Sequence, residues 1–239
     1  MPEENHLPPP DRWARLAAEE RRKQKRRDGF LILMLMLLAA VLVFLIRSSL
    51  ANDEKRGKRL IERETFNNLR QIGLGLAEFE VEYGKFPDAS TIVEVKKQTG
   101  TPLMLKDASS NDLFRQLLAG KFVQSERVFG AFEMNSKLPD GLDDKDTNAL
   151  TAGECGFAYV LSLSATDDPS RPLVFGPVKP GTRSVDSEMI DGEVVVLFAD
   201  ASVHRFPLYQ KGVIPIRGNV FDPSHPVWSG KSLEIKWPK

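Results

Sequence analysis

Phe30-Leu31-Ile32-Leu33-Met34-Leu35-Met36-Leu37-Leu38-Ala39-Ala40-Val41-Leu42-Val43-Phe44-Leu45-Ile46 carries no charge and no hydroxyl, and it lies just after the basic block Arg21-Arg22-Lys23-Gln24-Lys25-Arg26-Arg27. A bilayer core about 30 Å thick is crossed by roughly 17–25 apolar helical residues, so the run is long enough to span. No face of it is polar, which argues against a buried soluble helix. A cleaved secretory leader has a shorter apolar core and a small-x-small exit site. Ser49-Leu50-Ala51 is an acceptable site of that kind. The leader would be unusually long, however, and the expectation is a retained anchor.

Lys and Arg near the ends of the run set its orientation. Arg12, Arg15 and the Arg21–Arg27 block stand on one side; Arg47, Lys55, Arg56, Lys58 and Arg59 stand on the other. The denser block is expected to stay inside. The expected location is the inner (cytoplasmic) membrane, single-pass, with a cytoplasmic N-terminus and a periplasmic C-terminal domain.

The chain has 239 residues, with 33 basic and 33 acidic side chains. Leader and anchor removed, the remainder is enough for one ordinary domain. Because the leader is basic, that remainder is slightly acidic, which argues against nucleic acid as a partner. The basic block beside the apolar run reads as a topology determinant touching anionic lipid. One cysteine, Cys155, cannot form an internal disulfide. His6, His204 and His225 are scattered, giving no zinc pattern. A catalytic thiol needs a paired His, so Cys155 is read as a small buried side chain.

Before the anchor, residues 1–10 are polar and Pro-rich, and Asp11 is expected to cap a short helix over 12–20. After it, Leu69, Ile72, Leu76, Phe79 and Tyr83 recur at spacings of three and four, which places them on one helical face. Gly73 and Gly75 each cost about 1 kcal/mol in a helix interior. They suggest close packing against the backbone, or a bend. Gly84 and Pro87 end the helix, which therefore runs from about Phe30 to about Tyr83, with Asn52, Asp53 and Gly57 as places of interruption.

Residues 88–100 give no clear pattern. Ser110 or Asn111 should cap a short helix carrying Leu113, Phe114, Leu117 and Leu118, stopped by Gly120. A turn and a short strand are expected over 121–132, and a polar loop over 138–147. The C-terminal half reads as strands: 157–161, 172–175 and 193–198, with 199–202 turning into a return strand at 203–207. The Pro-rich tail with Trp228 and Trp237 reads as coil wrapped on the core. His204 reads as a surface residue.

These residues resemble a known family. Gly29-Phe30, the apolar run, Asn67-Asn68-Leu69-Arg70-Gln71-Ile72-Gly73-Leu74-Gly75-Leu76 and Tyr83-Gly84-Lys85-Phe86-Pro87 look like the N-terminal half of bacterial type II secretion pseudopilins and type IV pilin-like proteins. Val196-Leu197-Phe198-Ala199-Asp200-Ala201-Ser202-Val203 partly matches that family's late hairpin. The resemblance implies an α+β fold, in which a long transmembrane-plus-amphipathic helix packs on a small antiparallel sheet through Leu69, Ile72, Leu76, Phe79 and Tyr83. It implies prepilin-type cleavage between Gly29 and Phe30. It also implies a Glu at the fifth mature position for filament assembly, where this chain has Met34. A Glu in lipid needs a partner, so its loss removes the main drive toward a filament.

Some pseudopilins hold calcium in a C-terminal loop, and Asp140, Asp143, Asp144 and Asp146 are loosely similar to one. The spacing is not that of an EF-hand and Lys145 intrudes, so the loop is read as solvated. No P-loop, G-x-S-x-G, H-E-x-x-H or C-x-x-C motif occurs. The organisation expected is a leader (1–29), an anchor (30–46), the exported half of the helix (47–86) and an exported α+β domain (87–239). The expected role is non-enzymatic and without a cofactor: structural, in type II secretion or pilus-like assembly, with the membrane and secretion-apparatus or pilin-like proteins as partners. The rival is an envelope-anchored binding module or enzyme that uses the helix only as a tether.

Overall fold

The computed structural model describes residues 10–130, 137, 139–141, 149–179, 181–185, 190, 192–208 and 219–239. One helix, α1, runs from Pro10 to Tyr83. Asp11 is thus inside it rather than capping a separate short helix. Asn52, Asp53 and Gly57 do not interrupt it, because none of these residue types removes a backbone donor as Pro would.

Contacts divide the chain between Lys55 and Arg56. In the first unit the apolar run 30–46 is helical and its large side chains are exposed, Phe30 and Phe44 by 63% and 70%. It is the single candidate membrane span among the described residues.

The second unit is α+β. Leu69, Ile72, Leu76 and Phe79 on α1 are completely buried, and Tyr83 packs against the same core while partly exposed. Gly73 and Gly75 admit this closeness. A Cβ on Gly73 would stand 2.9 Å from Leu197 Cδ1, and one on Gly75 would stand 2.8 Å from Val123 Cγ2 and 3.1 Å from the Phe122 carbonyl. The glycines therefore serve packing and not a bend. Gly84, at φ 77°, donates its N–H to the Glu80 carbonyl and closes the helix.

Two short helices follow, α2 (Ile92–Thr99) and α3 (Ser110–Ala119). The cap of α3 is Ser109, one residue before the expected position. Its hydroxyl accepts the Asp112 N–H and donates to the Asp112 carboxylate. The hydroxyl thus fills one orphan backbone donor of the first turn and is itself fixed by the Asp112 carboxylate. Residues 131–132 of the turn and strand expected over 121–132 lie outside the described residues, and over 121–130 stands no strand but a 3-10 turn, Glu126–Phe129, whose Ser125 caps the Arg127 N–H.

Five antiparallel strands form one sheet: β1 (Ala158–Val160), β2 (Pro172–Gly176), β3 (Glu193–Phe198), β4 (Val203–Pro207) and β5 (Ile235–Lys236), in the order β4-β3-β2-β1-β5. β2 and β3 are buried almost throughout, as central strands covered on both faces should be. The β3–β4 turn holds Ala201 at φ 63°, a conformation that favours Gly. The tail is not all coil: β5 pairs with β1 through Tyr159 and Val160. Tyr159 also donates its hydroxyl to the Pro87 carbonyl at 3.0 Å, which ties the sheet to the chain leaving α1.

Candidate functional site

Gly29, Phe30 and Met34 all lie within α1, in regular helix. The Leu69–Phe79 stripe forms one wall of the core. The Tyr83 ring lies tilted by 37° at 4.4 Å from that of Phe79 and meets Phe122 edge-on at 6.0 Å. Of the four Asp residues considered for calcium, Asp143, Asp144 and Asp146 fall outside the described residues. Asp140 is exposed, and it joins two carboxylates that sequence reasoning did not select.

Those two are Glu126, from the 3-10 turn, and Glu154, both buried. Ligand oxygens of Glu126, Asp140 and Glu154 lie within 4.8 Å of one another. Glu126 accepts the Gly141 N–H at 2.8 Å and the Leu150 N–H at 2.7 Å. Glu154 accepts the Thr151 N–H at 2.5 Å through one oxygen. Its other oxygen takes no directed hydrogen bond but lies 2.5 Å from Lys137 Nζ. Burial pushes the Glu126 carboxyl above its usual range against the pull of the two N–H donors, and hydrogen bonding with Asp140 adds to the rise. The Lys137 ammonium is held in its charged form by Glu154.

Hard carboxylate oxygens at this spacing suit a calcium-type ion. Here a lysine ammonium already meets the buried Glu154 carboxylate. The arrangement fastens Gly141 and Leu150 onto the 3-10 turn by giving their backbone N–H groups a carboxylate acceptor. Neither Glu126 nor Glu154 belongs to a periodic pattern or a motif, so the sequence carries no signal for them.

Cys155 is fully buried, and its sulfur contacts the Phe157 carbonyl at 3.4 Å and Ser110 Oγ at 3.7 Å. Burial pushes the thiol up to about 12. The nucleophile is the thiolate, so this cysteine is inert in the fold. Thiol labelling at pH 8 should therefore leave the native protein unmodified and modify one site per chain in denaturant. Rapid labelling of the folded protein would contradict the burial. His204 is exposed on β4, its ring completing a triangle with those of Phe198 and Phe206 at 5.9 Å and 6.3 Å.

Beside α1 an open cleft is lined by Arg59, Glu62, Arg63, Phe66, Asn67 and Arg205. Glu62 and Arg205 are ion-paired across it. Two further guanidiniums, Arg59 and Arg63, leave it net positive, so it is suited to carboxylates rather than cations.

Compared with known protein families, curated proteins and solved structures, the chain matches none.

Proposed function

We propose that the chain is a single-pass membrane protein of pilin-like architecture with a structural, non-catalytic role in secretion or pilus-like assembly. The N-terminal basic block stays in the cytoplasm and residues 56–239 lie on the far side. The observation that carries the reading is the double character of α1. One helix offers lipid an exposed apolar run at 30–46 and offers the sheet four completely buried side chains at 69–79. A soluble enzyme has no use for the first, and a simple tether has no use for the second.

Met34 places limits on the role. Without an acidic residue inside the apolar run, nothing there can pair with the amine of a neighbouring subunit, so a tip, minor or stand-alone part suits this chain better than a filament repeat.

The mass of the N-terminal peptide of membrane-extracted protein tests this. A start at Phe30, particularly a methylated one, is the outcome expected of prepilin-type processing. A start at Met1 or Pro2 supports an uncleaved anchor. A start near Asn52 would mean a secreted protein and would remove the anchored role.

A further inference from the structure

The outer edge of β4 is flanked by two pockets of opposite character, one on each face of the sheet. Leu197 of β3 packs at Gly73 of α1, so the β3 side chains at 193, 195 and 197 face that helix. Arg205 stands opposite Val195 and is ion-paired with Glu62, and it faces α1 as well. His204 and Phe206 stand opposite Val196 and Val194 and face the other way. On the α1 face is the cleft of Arg59, Arg63 and Arg205, about 620 Å³ in volume. Glu62 neutralises one of the three guanidiniums, while Arg59 and Arg63 make no ion pair among the described residues. On the other face the rings of Phe198, His204 and Phe206 border an apolar hollow of about 320 Å³. Its one acid, Asp200, is turned to the Ser202 N–H at 2.9 Å.

Between these pockets the backbone of β4 turns hydrogen-bonding groups outward. Bonds from the Phe198 N–H to the Ser202 carbonyl and from the Leu208 N–H to the Gly192 carbonyl bracket the hairpin. Along an antiparallel ladder the inward groups fall on alternate residues, so those of His204 and Phe206 turn to β3. The N–H and carbonyl of Val203 and of Arg205 point outward, as does the Pro207 carbonyl. β4 ends the sheet, and no described strand pairs with that side. Sheet edges are commonly guarded by a charge or a proline. Here Arg205 is drawn aside by Glu62, and Pro207 blocks only one end of the edge.

We propose that the outer edge of β4 binds an extended segment of another protein by strand addition, and that this segment reads apolar–acidic–apolar. Main-chain bonds to Val203 and Arg205 hold it, and pockets for alternate side chains select it. Residues opposite one another in a ladder share a face of the sheet. The segment's residue opposite Arg205 therefore enters the cleft, where a carboxylate meets Arg59, Arg63 and Arg205. Its two neighbours, opposite His204 and Phe206, enter the hollow and cover the aromatic rings. A basic residue at the centre would add charge to a cleft that is already net positive. A second copy pairing through its own β4 brings His204, Arg205 and Phe206, a basic centre where an acidic one is called for. The surface lies wholly within residues 56–239 and is independent of whether the apolar run is an anchor.

The test uses the detergent-extracted full chain and a dye-labelled peptide, Thr-Leu-Glu-Leu-Thr, followed by fluorescence anisotropy. Half-saturation is expected below about 1 mM. Lys in place of the Glu should weaken binding by about ten-fold or more, and so should a methyl on the Glu nitrogen, which removes the N–H that meets the Arg205 carbonyl. A methyl on the nitrogen of the following Leu, which points away from β4, should leave binding unchanged. Arg63→Glu, an exposed substitution, should cancel the preference for the Glu peptide over the Lys peptide, and Phe206→Ser should weaken both, with the melting curve showing that each variant is folded. Equal binding of the Glu and Lys peptides, indifference to the methyl on the Glu nitrogen, or no binding at about 1 mM would overturn the proposal. Sedimentation of the chain alone gives one more outcome. A dimer that Val203→Pro dissolves without lowering the melting temperature would assign the edge to a second copy and likewise overturn it.

Discussion

Leu76→Asp is expected to unfold residues 56–239 while leaving the apolar run intact. Leu76 is completely inaccessible and sits in the core cluster that α1 shares with the sheet. An Asp there must either bury an ionised carboxylate among apolar side chains or take up a proton. Removing the leucine contacts alone costs about 2–5 kcal/mol, and burying the unpaired carboxyl adds several more. The sum approaches the roughly 5–15 kcal/mol by which whole domains are stable. Limited proteolysis of the membrane-extracted protein should show rapid loss of the domain in Leu76→Asp. Leu76→Ala, which adds no charge, should stay folded with a lowered melting temperature. A Leu76→Asp protein that resists protease like the parent would refute the packing of α1 on the sheet.

Arg171→Ala should be the most damaging polar truncation. The buried Arg171 donates to the Val227 carbonyl at 2.7 Å, the Ser229 carbonyl at 3.0 Å and Asp167 Oδ1 at 2.6 Å. Lys231 Nζ takes the other Asp167 oxygen at 2.5 Å. Burial works to raise the Asp167 carboxyl, but hydrogen bonds from Lys231 and the Ser164 N–H together hold it below the ordinary carboxylate range. Truncating the arginine leaves two carbonyls without donors and Asp167 with one cation. Breaking a buried pair in this way costs about 3–5 kcal/mol, or on the order of 10 °C in melting temperature for a domain of this size. Arg171→Lys should recover only part of the loss, since an ammonium cannot serve three acceptors spread over a planar fork. The buried Trp228, whose indole donates to the Val220 carbonyl at 2.7 Å, reports the change by fluorescence. An unchanged melting curve for Arg171→Ala would show that the fork holds nothing.

The features legible in the sequence are those set by local period or by solvent. The apolar run at 30–46, the stripe from Leu69 to Phe79 and the hairpin at 193–207 each repeat a pattern within a few residues. The strand expected over 121–132 failed because Phe122, Val123, Val128 and Phe129 do not alternate. Phe122 and Val123 enter the core from the turn that closes α3, and Val128 and Phe129 from a 3-10 turn that Ser125 caps. The Ser109 cap was displaced by one residue because three polar residues in succession, Ser109, Ser110 and Asn111, all suit the position. Only tertiary contacts separate them: Ser110 donates to the Phe157 carbonyl, and Asn111 to the carbonyls of Leu150 and Thr151. Glu126 and Glu154 were invisible for the same reason. Their partners are backbone N–H groups, which every residue carries and no motif advertises.

β5 has a consequence for how the molecule comes into being. Synthesis delivers β1 well before residues 235–236, yet those two residues occupy the open side of β1, and Lys239 donates to Asn111 and Asp112 far back in the chain. A nascent chain therefore holds β1 with one edge bare until β5 emerges. Such a bare edge invites pairing with the wrong chain during the wait. The cell must keep this intermediate soluble, and a stall of translation between β4 and β5 would be more dangerous to it than a stall before β1.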